Sequence, residues 1–449
     1  MITAKAFAGK HYAVLGLARS GLATVEALLA SGAKVTAWDD KLFPGGGRGP
    51  DGEAEDTLAR LDPGLRQGTE IANLNEVDLS QFDSIVVTPG LPLNRHPIAA
   101  RAREAAVEII GDIELFARAR PELPPHKVVG ITGTNGKSTT TALIHHILHT
   151  AGVPSLMGGN IGLPILSQDP LPEGGVYVLE LSSYQIDLTQ SLDCDVAVLL
   201  NITPDHLDRY ESFDAYAASK ARLFEMQSPR GFGLLNDENS ESLTLFLRLL
   251  HSGRYVEPFG ATYLKSDGWN QLDWPNLAGP HNAENAAAAF ETCIVLGLNP
   301  HDVDAAVRTY PGLPHRMERI LERDGVLFVN DSKATNAEAA APALAAYPKV
   351  RWILGGQAKG ETLGDTARHL DHVVAAYTIG EDGPMFAGLL REAEVSVIEC
   401  ETLENAVKRA AEDSQAGETV LLSPASASFD QFKDFEARGD KFREVVGAL

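Results

Sequence analysis

The residues best equipped for chemistry lie between Lys127 and Thr141, in KVVGITGTNGKSTTT. An apolar run leads into a loop holding Gly133, Thr134, Asn135 and Gly136, and Lys137-Ser138-Thr139 follows at once. Strand, glycine loop and helix N-terminus, in that order, make a phosphate site. Backbone N–H groups converge on the anion, and the helix dipole adds positive potential. Both glycines permit dihedrals that other residues avoid. Lys137 can then reach terminal phosphates, and Ser138 or Thr139 can ligate Mg²⁺. The general GxxxxGK[ST] pattern asks for glycine five residues before Gly136. Ile131 stands there, and Gly130 comes one residue early. A plain surface loop before a helix is the competing reading, and it accounts for neither the strand context nor the Lys-Ser pair.

Further candidates sit where apolar segments end. Glu180 closes Tyr177-Val178-Leu179. A carboxylate there is costly to bury unless paired or metal-bound, and Mg²⁺ takes hard oxygen ligands; a partly exposed strand end is the alternative. His206, within NITPDHLDRY, is either a metal ligand or a capping residue. Lys220 lies in the amphipathic stretch SFDAYAASKARLFEM and, taken alone, reads as a solvated helix lysine. Asn282 and Asn285 fall in the first turn of an alanine-rich helix from Pro280, where amides either read an adenine or cap the helix. Arg316, Lys333 and Lys359 are basic residues at strand ends or junctions of an acidic chain, which suits anionic ligands. Asp331, Thr335, Ser423, Ser426 and Ser428 also follow strand ends. His145 and His149 have the i, i+4 spacing of zinc helices, but no HExxH glutamate accompanies them, so a structural role is expected.

These residues need strands whose carboxyl ends gather at one edge. HYAVLGLARSGLATVEALLASG followed by KVTAWDD reads as a β-α-β opening. Its turn, Gly16-Leu17-Ala18-Arg19-Ser20-Gly21, has alanine at the middle position of GxGxxG, and Asp39 falls where an acidic ribose ligand would lie. NAD, the diphosphate of another nucleotide, and a turn with no ligand all remain open. FDSIVVTPGLP is another strand, ending at Pro89-Gly90. PELPPHK reads as a linker. VYVLELSSYQ, with Ser182 after the strand, and CDVAVLLNITPD continue a central unit. GVLFVNDSKATN, RWILGGQAKG, VVAAYTIG, VSVIEC and ETVLLSPASASF form a last one. Strands alternating with helical patterns place the chain in the α/β class with mostly parallel sheets. At 449 residues three domains are expected, 1–120, 121–312 and 313–449.

The formal net charge of −23 argues against a nucleic-acid surface, although a nucleotide needs only a local site. Cys194, Cys293 and Cys400 are far apart and form no CxxC pair, which fits a reducing cytosol. No apolar run has the length of a membrane span, and His11–Leu17 runs directly into Arg19, unlike a signal peptide. A cytoplasmic protein without membrane insertion is expected. The Pro44–Gly52 stretch, PGGGRGPDG, reads as a mobile loop.

Taken together, ITGTNGKSTT, LELSSYQ, NITPDHLDRY, HNAENAAAA, GLPHRME, NDSKATN, GGQAKG and SPASASFDQFKDFEARG resemble, in order, the motifs of the Mur ligases. NDSKATN and SPASASFDQF resemble the D-glutamate-adding branch, and the DNPR motif of the diaminopimelate-adding type is absent. The resemblance implies an N-terminal Rossmann-like UDP-binding unit, a central P-loop ATPase unit and a C-terminal Rossmann-like unit that closes over ATP. It implies an ATP-dependent ligase of peptidoglycan precursor synthesis; a monomer is expected. The carboxylate of UDP-N-acetylmuramoyl-L-alanine would become an acyl phosphate, and the amine of D-glutamate would displace phosphate to leave an amide. By the same resemblance Lys137, Glu180, His206 and Lys220 are catalytic. Ser138, Glu180, His206 and Lys220 would hold two Mg²⁺ ions, Lys220 as a CO₂-derived carbamate. Asn282, Asn285, Arg316 and Asp331 would join the loop residues Gly133–Thr139 at ATP. Arg19, Ser20, Asp39, Gly90, Asn160 and Ser182 would bind the UDP substrate. Lys333, Thr335, Lys359, Ser428 and Phe435 would bind D-glutamate. Two other classes are weighed against this one: a nicotinamide oxidoreductase using the Gly16–Gly21 turn, and a P-loop ATPase acting as a motor or switch.

Overall fold

The computed structural model describes residues 1–40, 68–205, 208–266 and 268–449, with the side chains of residues 265 and 266 outside the description. His206 and the Pro44–Gly52 stretch therefore lie outside the described residues. Contacts divide the chain into two compact units. One comprises Met1–Gly260 with Ala287–Ala306, the other Ala261–Ala286 with Val307–Leu449.

The first unit holds two parallel sheets. Strands β1 (His11–Leu15), β2 (Lys34–Trp38), β3 (Thr69–Ile71), β4 (Ser84–Val87) and β5 (Glu108–Ile110) pair in the order β3-β2-β1-β4-β5. Strands β6 (His126–Thr132), β7 (Ser155–Gly159), β8 (Gly175–Glu180), β9 (Val196–Leu199), β10 (Phe232–Asn236) and β11 (Tyr255–Phe259) pair in the order β11-β10-β9-β6-β8-β7. The expected linker PELPPHK is thus shorter than its composition suggests. Arg120–Glu122 form a 3-10 turn, and β6 already begins at His126 because His126 and Lys127 pair with Gly175 and Val176.

Strand β6 explains the apolar run at the head of the loop. Val128, Val129 and Ile131 are fully buried, as a parallel strand covered on both faces requires. The early glycine, Gly130, also has a physical reason. A Cβ there would come within 2.8 Å of Cys194 Sγ and 3.2 Å of Leu223 Cδ1, so Gly130 serves core packing and leaves the phosphate loop to Gly133 and Gly136. Connections from β6 lead toward β8 and β7, whereas those from β9 lead toward β10 and β11. The chain's order reverses between β6 and β9, and the crevice outside the carboxyl ends at such a reversal is where open α/β sheets take ligands.

The second unit has one mixed sheet. Strands β12 (Glu318–Arg323), β13 (Val326–Asn330), β14 (Val350–Gly355), β15 (Val373–Ile379), β16 (Val397–Glu401) and β17 (Thr419–Leu422) pair in the order β12-β13-β17-β14-β15-β16. Only β12 and β13 are antiparallel, joined by a tight turn with Asp324 at φ 52°. Strand β14 is buried throughout, with Trp352 Nε1 donating to Ser423 O at 2.7 Å.

Candidate active site

The stretch Thr132–Lys137 leaves β6 and turns into the helix Lys137–Thr150. Gly136 caps that helix in the left-handed region, φ 86°, and Gly133 has φ 154°. Both values disfavour a side chain, so the spacing of the two glycines is dictated by backbone shape. The first N–H to bond within the helix is that of Thr140, to Gly136 O at 3.0 Å. The preceding first-turn amides point along the axis toward the loop, the arrangement that receives anions.

A segment after β9 holds the loop open. The Asn201 amide oxygen accepts the N–H groups of Thr134 (3.1 Å) and Asn135 (2.9 Å), and Asn201 Nδ2 donates to Asn135 O at 3.2 Å. Thr134 Oγ1 lies 3.1 Å from Tyr216 Oη and accepts the Thr203 N–H at 3.0 Å. Neither Asn201 nor Tyr216 stood out in sequence as a site residue. Their signal is weak, because a lone Asn after a strand and a Tyr on a helix are ordinary until the sheet sets them beside the loop.

Two lysines converge on one carbonyl. Lys137 Nζ donates to Gly133 O at 2.9 Å and Thr134 O at 2.8 Å, and Lys220 Nζ donates to Gly133 O at 2.8 Å. Lys220 sits on the helix Phe213–Glu225, is 1% exposed, and lies 4.5 Å from the centre of the Tyr216 ring. Burial, and then the neighbouring Lys137 charge, hold its ammonium form well below the ordinary lysine range. The sequence-based picture of a solvated helix lysine is thereby replaced, since the helix turns Lys220 inward onto the loop.

Glu180 ends β8, beside β6, and is 2% exposed. Its Oε1 accepts from Asn160 Nδ2 at 2.9 Å. Its Oε2 is buried with no partner among the described residues. An orphaned carboxylate oxygen at the mouth of a phosphate loop fits a hard divalent cation, because leaving it unpaired in a dry site is otherwise costly. Ser138, the first-turn hydroxyl, is 7% exposed. Among the described residues no three His, Cys, Asp or Glu side chains gather into a metal cage, and His206 lies outside those residues.

Asn160 also faces a second space. A cavity of about 590 Å³ in the same unit is lined by Arg19, Ser20, Asp39, Gly90 and Asn160, with Asp112 in its wall. The glycine turn forms one side of it: Asp39 Oδ2 accepts the Leu17 N–H at 2.7 Å, and a Cβ on Gly21 would fall 1.9 Å from Gly16 O. Ser182 is not in the lining. Its hydroxyl accepts the Gln185 N–H at 3.2 Å, in a capping box that starts the helix Ser183–Asp187. Asp112 was not singled out in sequence. It is 5% exposed, and burial pushes its carboxyl up to about 6.

In the second unit Asn282 and Asn285 are buried in the first turns of the helix Pro280–Val295. Asn285 Nδ2 donates to Asn282 Oδ1 at 3.1 Å, and Asn282 Nδ2 to Ala278 O at 2.9 Å. Arg316 lies between two residues with left-handed backbone, His315 (φ 60°) and Met317 (φ 47°), a strained turn of the kind that accumulates at functional sites. Asp331 holds that turn through the Met317 N–H (3.1 Å) and is itself held by the Ser423 hydroxyl (2.8 Å); burial pushes its carboxyl up to about 7.

Arg438 joins the loops expected to hold the amino acid. It donates to Ser332 O (2.9 Å), Ser332 Oγ (3.0 Å) and Ser426 O (3.0 Å) while 1% exposed. Ser332 Oγ in turn donates to Phe435 O at 2.8 Å, and Lys333 Nζ sits 3.9 Å from the centre of the Phe435 ring. Lys333 and Phe435 are thus in contact. Ser428 is 2% exposed, Thr335 half-buried and Lys359 exposed after β14.

A phosphate loop at the reversal point of a parallel sheet, with a buried lysine and an orphaned carboxylate beside it, defines the class: an α/β protein built to handle phosphate at strand ends. Comparison with known proteins makes the class specific. Residues 131–262 match the Mur ligase middle domain, residues 315–426 the Mur ligase glutamate ligase domain, and residues 10–111 the MurD-like Mur ligase N-terminal domain. The chain is 56% identical to the UDP-N-acetylmuramoylalanine–D-glutamate ligase of Novosphingobium aromaticivorans, covering 100% of this chain and 97% of that one. It is 54% identical to the enzyme of the same name from Sphingopyxis alaskensis, covering both chains fully. Among solved structures, UDP-N-acetylmuramate-alanine ligase MurC of Thermotoga maritima is similar with a TM-score of 0.57 at 16% identity, covering 98% of this chain and 99% of that one. MurF of Acinetobacter baumannii is similar with the same score of 0.57 at 18% identity, covering 98% and 92%. The chain belongs to the Mur ligase family and has its three-part α/β fold.

Proposed function

We propose that this protein joins the carboxylate of UDP-N-acetylmuramoyl-L-alanine to the amine of D-glutamate, at the expense of ATP, in peptidoglycan precursor synthesis. The observation that carries the reading is Asn160. It lines the cavity and bonds Glu180, which carries an unpaired oxygen and pairs with Ile131 on the strand that leads into the glycine loop, and this supports a reading in which the two ligands meet there. Residues 1–120 bind UDP, 121–312 bind ATP and 313–449 bind the amino acid, and the protein works as a cytoplasmic monomer.

The nucleotide-sugar enters the cavity through Arg19, Ser20, Asp39, Gly90 and Asn160, with Ser182 near its peptidyl arm. Gly133–Thr139 hold the triphosphate, and Lys137 swings from the loop carbonyls to the γ-phosphate. Asn282, Asn285, Arg316 and Asp331 complete the nucleotide's surroundings. Ser138, Glu180, His206 and Lys220 would hold two Mg²⁺ ions, whose chemistry there would be to neutralise charge on the phosphates. Lys220 suits this only after adding CO₂, because an ammonium repels a cation. Burial lowers the lysine's pKa and so favours the neutral amine, the form that attacks CO₂ to make an N–C bond and release a proton. The substrate carboxylate then displaces ADP from the γ-phosphorus to give an acyl phosphate. The D-glutamate amine, steered by Lys333, Thr335, Lys359, Ser428 and Phe435, attacks that carbonyl and phosphate leaves.

The test is phosphate release. Purified protein is expected to release phosphate from ATP only when UDP-N-acetylmuramoyl-L-alanine and D-glutamate are both present. Steady release without the amino acid refutes the ligase and favours a plain ATPase.

A further inference from the structure

The loop Thr88–Pro92 after β4 forms a wall of the cavity, and it is tied to the segment that follows the phosphate-loop clasp. One nitrogen of Arg209, Nη2, faces three successive carbonyl oxygens: Pro89 at 3.4 Å, Gly90 at 3.2 Å and Leu91 at 3.2 Å. The tie runs in both directions. Asn94 Nδ2 and Arg95 Nη2 donate to Asp208 O at 3.2 and 3.1 Å. The guanidinium is seated over the Tyr184 ring, 4.5 Å from its centre. Tyr184 stacks on Tyr210 at 6.0 Å and 12°, and Tyr210 Oη donates to Asp187 Oδ2 at 2.8 Å. Arg209 is therefore aimed by an aromatic platform rather than left to wander, and a planar cation so held can gather several carbonyls at once.

We propose that Arg209 is a positioning residue for nucleotide-sugar binding: it fixes the Pro89–Leu91 backbone so that the cavity wall is set before the ligand arrives. The inference rests on the cavity being the nucleotide-sugar site. The trans peptide is planar, so drawing the Pro89 carbonyl toward Arg209 turns the Gly90 N–H the opposite way, as a fixed donor at a residue that lines the cavity. A Cβ at Gly90 would meet nothing within 4 Å, so the wall here is bare backbone facing open space. The Leu91 N–H closes the turn on Thr88 O at 3.0 Å, and Arg209 is the side chain that holds the carbonyls on the turn's other side.

The test compares Arg209→Ala, Arg209→Lys and wild type by isothermal titration with the nucleotide-sugar, and by steady-state kinetics. Losing charged hydrogen bonds that pre-set a binding wall is expected to raise the nucleotide-sugar Kd and KM about tenfold for Arg209→Ala. The KM for ATP and kcat should change less than about threefold, because the phosphate loop keeps its own Asn201 clasp. Arg209→Lys should recover part of the loss, and tens of millimolar ethylguanidinium should restore part of it in Arg209→Ala. An unchanged nucleotide-sugar Kd, an equal rise in the ATP KM, or a loss indifferent to both ethylguanidinium and lysine overturns the proposal. Wild-type protein that fails to bind the nucleotide-sugar at all overturns the site reading and this inference together, whereas normal wild-type binding with an unaffected variant sinks this inference alone.

Discussion

Replacing Asp112 with asparagine should make the protein more stable, and only above a definite pH. Asp112 opens the helix Asp112–Ala119 and is 5% exposed in the cavity wall, with Ile113 N–H donating to its Oδ1 at 3.0 Å. Burial raises its carboxyl from 3.8 to about 6, against the smaller opposing effect of backbone hydrogen bonds. A carboxyl whose folded pKa is raised helps folding while it is neutral. That contribution is complete below the unfolded value near 4 and lost as pH rises through about 6. A shift of roughly 2 units at 1.36 kcal/mol each gives about 3 kcal/mol as an upper figure. Asparagine keeps the acceptor for Ile113 and carries no charge. Wild type and Asp112→Asn should therefore unfold alike at pH 4, and the variant should gain up to about 3 kcal/mol by pH 8. For a unit of this size that is roughly 3–5 °C in Tm. Thermal melts of both proteins at half-unit pH steps read the difference directly. A Tm gap that stays constant from pH 4 to pH 8 refutes the reasoning, because a packing effect carries no such titration.

Three further outcomes follow from the phosphate loop. Lys137→Ala should abolish ligation while leaving the circular dichroism and melting temperature near wild type; near-normal ligation would contradict the ATP reading. Lys220→Ala should be inactive and partly rescued by acetate, a carboxylate able to occupy the vacated space, and full activity without rescue would contradict the carbamate role. Tyr216→Phe removes the hydroxyl 3.1 Å from Thr134, a neutral bond of about 1 kcal/mol, and should raise the ATP KM roughly fivefold with the D-glutamate KM unchanged. An ATP KM within twofold of wild type would show that Tyr216 plays no part in holding the loop.

The phosphate loop was legible because its demands are local. Gly133 and Gly136 must take left-handed dihedrals, and Lys137-Ser138 must open the helix, so the requirement is written in consecutive residues. The parallel strands were legible for the same reason, as in the apolar run of β6. Gly130 was harder. In sequence it looks like a displaced member of the loop, and only the packing of Cys194 and Leu223 against it shows that it serves the core.

Most of the other relations belong to the tertiary structure. Lys220 reads as a solvated lysine until the helix carrying it is laid against β6, which puts its amine on Gly133 O from 87 residues away. Glu180 reads as a strand end until β7 brings Asn160 to one oxygen and leaves the other bare. Asp112 carries no local pattern, and Asn201, Arg209 and Arg438, although they fall inside the motifs, show what they hold only in the folded chain. Parallel sheets place sequence-distant loops side by side, and burial, which sets charge states and hydrogen-bond partners, is a property of that assembly. By itself the sequence determined that the chain is α/β, that a phosphate-loop pattern follows β6 and that it resembles the Mur ligases. The folded chain decided which side chains meet at that loop and which way burial shifts their charge, because those depend on neighbours that short-range spacing does not encode.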